Sequence, residues 1–158
     1  MGKDTTASEI RCVLLPIYSG QLLLPSASIT EVVGFQTPTP LKGTSHPDWL
    51  MGTFKWRQRQ IPLVSFDAMV SLPSTEIGHR ARVAICNALW GEGKISHIAF
   101  MLSAIPRLVR ITEEAIKSVG EQGDVGPMVL RQVRINGEEA WIPNLDALEQ
   151  AIHEYFLR

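Results

Sequence analysis

From Gly52 to Phe66 the chain reads as two apolar runs, rich in β-branched and aromatic residues, around a polar, basic centre. Side chains alternate faces along a strand, so Phe54 and Trp56 share one face while Lys55 and Arg57 take the other. The pattern predicts a hairpin with Lys55, Arg57 and Arg59 at its tip, followed by a return strand that carries Pro62 and ends near Asp67-Ala68-Met69. Upstream, Ile10 to Ile17 and Gln21 to Leu24 read as strands joined by a Ser19-Gly20 turn. Ser28 and Glu31 have capping-box spacing, which predicts a short helical turn within residues 26–33, with a plain polar corner as the alternative. Three prolines and Gly43 make Thr37 to Pro47 a loop, and Ser71 to Gly78 is another.

The second half repeats this order. Ala81 to Leu89 and Ile95 to Leu102 are strands around a Gly91-Glu92-Gly93 turn. Ile105 to Ile111 is extended, Thr112-Glu113-Glu114 opens a helical turn, and Ser118 to Pro127 is a glycine-rich loop. Val129 to Ile135 and Glu138 to Ile142 flank Asn136-Gly137, a strong type I′ signal because both turn positions need φ > 0. Asn144 then caps a terminal helix with Leu145, Leu148, Ile152 and Phe156 on one face. Two stretches echo each other: Gln60-Ile-Pro-Leu-Val-Ser-Phe-Asp-Ala-Met69 matches Trp141-Ile-Pro-Asn-Leu-Asp-Ala-Leu148, and Ile29-Thr-Glu-Val-Val33 matches Ile105-Pro-Arg-Leu-Val109. Repeated order in a chain of 158 residues predicts two small, intertwined β-barrels: a tail over residues 1–9, then one domain over residues 10–158. Chance similarity of short strings is the competing explanation.

A chain of this length buries roughly 70% of its unfolded surface and needs no disulfide or metal staple. The net charge of -1 argues against a nucleic-acid binder that works by bulk electrostatics. Cys12 and Cys86 lie far apart without a CxxC partner and read as small buried residues of strands. The first nine residues lack the features of a secretory signal, and no apolar run approaches the roughly 20 residues that cross a membrane. The cytoplasm is the expected compartment.

Catalytic chemistry is missing from the pattern. Gly91 to Ser96 does not complete a phosphate loop, and a hairpin turn accounts for it better. His46, His79, His97 and His153 share no metal-ligand spacing, and there is no nucleophile elbow. Asp67 and Asp146 are the best-matched acids, but both stand where a strand gives way to a helix, a structural position. No enzyme, metal or cofactor is predicted. Trp49, Phe54, Trp56 and Phe66 gather near Lys55, Arg57 and Arg59 in sequence, and three uses remain open. They could be plain core, a protein interface anchored by Trp and Arg, or a stacking platform of a single-stranded nucleic-acid barrel built on Trp49 and Trp56.

The segment Gly52-x-x-Lys-Trp-Arg-Gln-x-x-Ile-Pro-Leu-Val-Ser-Phe66 resembles Gly-x-x-Asn-Leu-Arg-Gly-x-x-x-Pro-Val-x-Asp-Leu of the CheW family of chemotaxis coupling proteins. Ile29-x-Glu31-Val32 resembles the family's Val-x-Glu-Ile, and the likeness continues through Ile98 to Ile111 and the terminal hairpin and helix. It implies a mainly β fold of two five-stranded SH3-like barrels with a hydrophobic seam, short helical turns and a C-terminal helix. It also implies a non-enzymatic adaptor between the cytoplasmic tip of a methyl-accepting chemoreceptor and a CheA-type histidine kinase. Other CheW-like proteins are further implied partners; a cofactor, nucleic acid and direct membrane insertion are not implied. By position, Arg57 matches the arginine of the receptor–kinase contact region, with Lys55 and Trp56 before it. Ile29, Glu31 and Val32 match the segment beside it, and Gly52 matches the glycine that starts the strand. Gln58 stands where the family favours glycine, implying a turn of different φ/ψ. Lys55-Trp56 replaces Asn-Leu, and Ser65 and Ser103 replace aspartates. These departures resemble the divergent members of pilus chemosensory systems called PilI and ChpC.

Overall fold

The unbroken apolar run from Cys12 to Leu15 is that of a strand covered on both faces, with no polar side to present to water. In the computed structural model, which describes residues 9–43, 45–72, 77–89, 95–120 and 126–156, this run lies in β1 (Glu9–Ile17). It turns back into β2 (Gly20–Pro25). A 3₁₀ turn over Ser26–Ser28 leads into β3 (Ile29–Gly34). The helical turn expected over residues 26–33 therefore ends at Ser28. No capping box forms, because the alternating residues Ile29 to Val33 cover a sheet and the Glu31 side chain is engaged elsewhere.

Next come β4 (Leu50–Trp56) and β5 (Arg59–Val64), the hairpin read from the sequence, and a single turn α1 (Phe66–Met69). β6 (Arg82–Asn87), β7 (His97–Leu102) and β8 (Arg107–Thr112) follow. A 3₁₀ turn capped by Thr112 precedes the two-residue β9 (Lys117–Ser118). The chain closes with β10 (Val129–Ile135), β11 (Glu138–Pro143) and α2 (Leu145–Phe156). The expected Gly91-Glu92-Gly93 turn, residues 1–8 of the expected tail and the side chain of Phe156 lie outside the described residues.

Two curled sheets result. Their orders are β8-β1-β2-β11-β10-β9 and β3-β6-β7-β5-β4. The first has six strands rather than the expected five, because Lys117–Ser118 adds an edge to β10. Without β9 the orders are equivalent strand for strand. β8 corresponds to β3, β1 to β6, β2 to β7, β11 to β5 and β10 to β4, and the one parallel pairing falls at the same place in each. The echo of Ile29–Val33 in Ile105–Val109 thus falls on equivalent strands, β3 and β8. The Ile-Pro echo falls on β5 and β11, each followed by a capped helix. Ser65 Oγ accepts from the Ala68 N–H at 3.2 Å, and Asn144 Oδ1 from the Ala147 N–H at 3.2 Å.

The largest hydrophobic cluster lies between the sheets. Val13, Leu15, Leu22 and Leu24 meet Val64, Phe100 and Leu102 there, with Phe66 of α1 and Leu148 and Ile152 of α2. A smaller cluster fills each curl: Cys12, Leu14, Leu23 and Val133 in one, Phe54, Trp56, Ile61 and Val83 in the other. Both cysteines are buried and free, as read, and burial pushes the Cys86 thiol up to about 12.

Two buried carboxylates tie the halves together reciprocally. Asp67, on α1 behind the β3–β7 sheet, accepts from the Tyr18 N–H at 3.2 Å, the Ser19 N–H at 2.7 Å and the Ser19 hydroxyl, all at the β1–β2 turn. Glu149, on α2 behind the other sheet, accepts from the Leu89 N–H at 2.6 Å, just past β6 in the corresponding connection. Asp67 is thus structural, as its position implied.

Candidate functional site

β3 is an edge strand, and its register decides where its side chains go. Glu31 pairs with Ile85 and Val33 with Val83, so both point into the curl of their own sheet. Val32 pairs with Ala84 and points toward the seam. On β4 the alternation read from the sequence holds: Phe54 and Trp56 are buried, while Lys55 is exposed opposite Gln60. The turn at Arg57 and Gln58 has φ of 48° and 64°. Gln58 therefore keeps left-handed geometry without glycine, which corrects the expectation of a different turn; a tight hairpin imposes positive φ whatever the residue.

The rim of this sheet is closed by side chains. Glu31 Oε1 accepts from the Trp56 indole Nε1–H at 2.9 Å and from Arg57 at 3.3 Å. The Arg57 guanidinium stacks 4.5 Å from the centre of the Trp56 ring, and the His97 ring lies 4.6 Å from it. Arg59 donates to the Ser96 hydroxyl at 3.0 Å. Glu31 joins Trp56 and Arg57, distant from it in sequence, in one cluster; Lys55 shares the strand but faces away. Gly52 is the third residue of β4, at a register shift near the beginning of the strand. Its φ is 139°, and a Cβ there would sit 2.3 Å from the Thr39 carbonyl oxygen, so the close approach of the two backbones demands glycine.

The other sheet closes in the same way with its charges exchanged. Arg107, at the position on β8 that Glu31 holds on β3, reaches the tip of the equivalent hairpin and donates to Glu138 at 2.6 Å. This contact raises the Arg107 pKa, and together with a Gln21 hydrogen bond it lowers that of Glu138.

Between the edge strands β3 and β8 runs a groove of about 580 Å³ lined by Val13, Ile29, Val32, Ile105 and Leu108, with Arg82 and Arg107 at its border. Leu108 is 80% exposed, Ile105 64% and Val32 38%, an unusual amount of apolar surface in one place. Ile29 and Val32 were singled out in the sequence; Ile105 and Leu108 were not, although their echo of Ile29–Val33 placed them on the matching strand.

The aromatic residues gathered in sequence do not gather in space. Phe54 and Trp56 belong to the cluster within the curl. Trp49 packs edge-on against Tyr155, with ring centres 6.1 Å apart, and Phe66 lies near Trp141 in the seam. Trp49 and Trp56 thus build no common stacking platform. Among the described residues no group of His, Cys, Asp or Glu has the arrangement of a metal site, and no helix is long and apolar enough to cross a membrane.

The crystal structure of the scaffolding protein TtCheW from Thermoanaerobacter tengcongensis is similar in fold, with a TM-score of 0.73 at 16% identity, covering 87% of this chain and 90% of that one. No curated protein matches the sequence. The family model of the CheW-like domain matches residues 11–152. Two equivalent curled sheets, a seam between them and a match along nearly the whole chain lead to one conclusion: the chain belongs to the CheW-like domain family.

Proposed function

We propose that this protein is a non-enzymatic chemosensory adaptor that couples a methyl-accepting chemoreceptor to a CheA-type histidine kinase in the cytoplasm, recruited to membrane receptor arrays. The observation that carries this reading is the apolar groove between β3 and β8, which lies beside a charged hairpin rim. An exposed apolar channel flanked by sheet edges suits the packing of a receptor's helical hairpin, whose anchors would contact Val32, Ile105 and Leu108. The exposed Arg57 at the rim, backed by Trp56 and braced by Glu31, suits the kinase as an interface anchor, and Lys55 adds a positive charge on the outer face of the same strand. Residues 10–158 act as a single docking body of two interlocked barrels, supported by the reciprocal carboxylate contacts. The departures at Lys55, Trp56, Gln58, Ser65 and Ser103 favour a pilus chemosensory system controlling twitching motility over a flagellar one. Co-purification tests the assignment. Leu108→Glu should abolish receptor capture, and Arg57→Glu should weaken kinase capture, each with thermal unfolding nearly unchanged. Capture equal to that of the parent would remove the corresponding surface.

A further inference from the structure

The rim carries positive charge that Glu31 does not absorb. Arg59, register partner of Trp56, bonds the Ser96 hydroxyl at 3.0 Å, and His97 Nδ1 lies 2.9 Å from the same oxygen. A guanidinium and an imidazole thus converge on one neutral oxygen. Among the described residues the carboxylate that reaches this rim is Glu31, already shared by Trp56 and Arg57.

We propose that Arg59, Ser96 and His97 form an oxyanion site that receives a side-chain carboxylate of the docking partner. This occupant presupposes the adaptor function above and adds the chemistry of what docks at the rim. The guanidinium fork presents parallel N–H donors that fit a carboxylate. The Ser96 hydroxyl can turn from accepting to donating, and His97 can add an N–H.

The surroundings of His97 favour proton-coupled binding. Burial, then the charges of Arg59 and Arg57, hold its imidazole below the ordinary range, so it stays neutral while the site is empty. The facing groups are Trp56 on β4, Arg57 in the turn, Arg59 on β5, Ser96, and Glu31 on β3 through Trp56. Asn87, its register partner on β6, is neutral, and Lys55 projects from the other face of β4. A bound carboxylate would offset the two guanidinium charges and favour the imidazolium. Binding would then take up a proton and tighten from about pH 8 to about pH 6.

Two measurements on the full chain test this. In the first, inorganic phosphate is the probe, ionic strength is held constant with sodium chloride, and the His97 ring signals are followed by NMR through pH. Phosphate should raise the His97 midpoint by about one pH unit in the parent and leave Arg59→Gln unmoved. No movement beyond the chloride control, or equal movement in Arg59→Gln, would overturn the site and leave the adaptor function standing. In the second, capture of a CheA-type kinase is compared at the two pH values. Arg59→Gln should capture several-fold less, and His97→Gln should lose the gain at low pH. Parent-like capture by Arg59→Gln would overturn the carboxylate occupant, and absence of capture by the parent would overturn the adaptor function with it.

Discussion

Glu31 and Trp56 stand on strands at opposite ends of one sheet, yet the indole Nε1–H donates to the Glu31 carboxylate at 2.9 Å. The contact joins the two edges of the curl and gives a buried indole its acceptor. Glu31→Ala would strand that donor at a cost of about 1–3 kcal/mol. Melting temperature should fall by roughly 2–4 °C for each kcal/mol lost. Glu31→Gln keeps an acceptor oxygen and should recover most of the loss in a thermal scan; equal losses would mean that the hydrogen bond is not what matters.

Asp67 should be less tolerant. Its carboxylate serves two backbone N–H groups and a hydroxyl while only 1% exposed. Asp67→Ala leaves all three donors without this acceptor and should cost about 3 kcal/mol or more by urea unfolding. In the other half, Glu149 is likewise only 1% exposed and accepts from the Leu89 N–H at 2.6 Å in the corresponding connection. Glu149→Ala should also lower the urea midpoint, because it leaves that N–H without this acceptor.

The hairpin tip offers a gain. Gln58 holds φ of 64°, where a residue with a Cβ is strained by about 1–2 kcal/mol, whereas Gly137 occupies the equivalent position of the other hairpin at 83°. Gln58→Gly should raise the unfolding midpoint or leave it unchanged, without weakening kinase capture. A clear loss of stability would show that the Gln58 side chain contributes contacts of its own.

His97 sets a pH dependence whose sign follows from its environment. Its folded pKa lies below the ordinary 6.5, lowered first by burial and then by Arg59 and Arg57. Above 6.5 both folded and unfolded chains carry it neutral, and its contribution to stability is complete. As pH falls below that value the unfolded chain binds the proton first, so stability declines until the folded form is protonated too. Urea midpoints of parent and His97→Gln should converge over this range; a parent that gains on its variant in acid would contradict the assignment.

Much of this was legible where local chemistry dictates geometry. Asn136-Gly137 could hardly be anything but a tight turn, and Asn144 ahead of an apolar stripe had to start a helix. Ser28–Glu31 misled because capping spacing is satisfied by chance in a strand whose polar residue points to a partner on another strand. For Phe54, Trp56 and Phe66 the plain-core reading of the aromatic group holds, but in two places: Ser65 follows β5 and caps a helical turn, so Phe66 swings into the seam while Trp56 stays within the curl. The groove stayed hidden because Leu108 looks like any apolar strand residue until its neighbours are known. Glu149 was equally hidden, an ordinary helix glutamate in sequence and 1% exposed in the fold.

The strand orders also dictate when each half of the protein can form. β3 to β7 are contiguous in the chain, over residues 29–102, so that sheet can assemble once its own segment has left the ribosome. β1 and β2 emerge earlier, but β2 pairs with β11 and β1 with β8, so they must wait through the synthesis of the intervening chain. The Asp67 anchor for the β1–β2 turn is made with α1, whereas Glu149 follows only with α2. That order would let the β1–β2 turn dock on Asp67 before its own sheet is complete, with α2 joining afterwards.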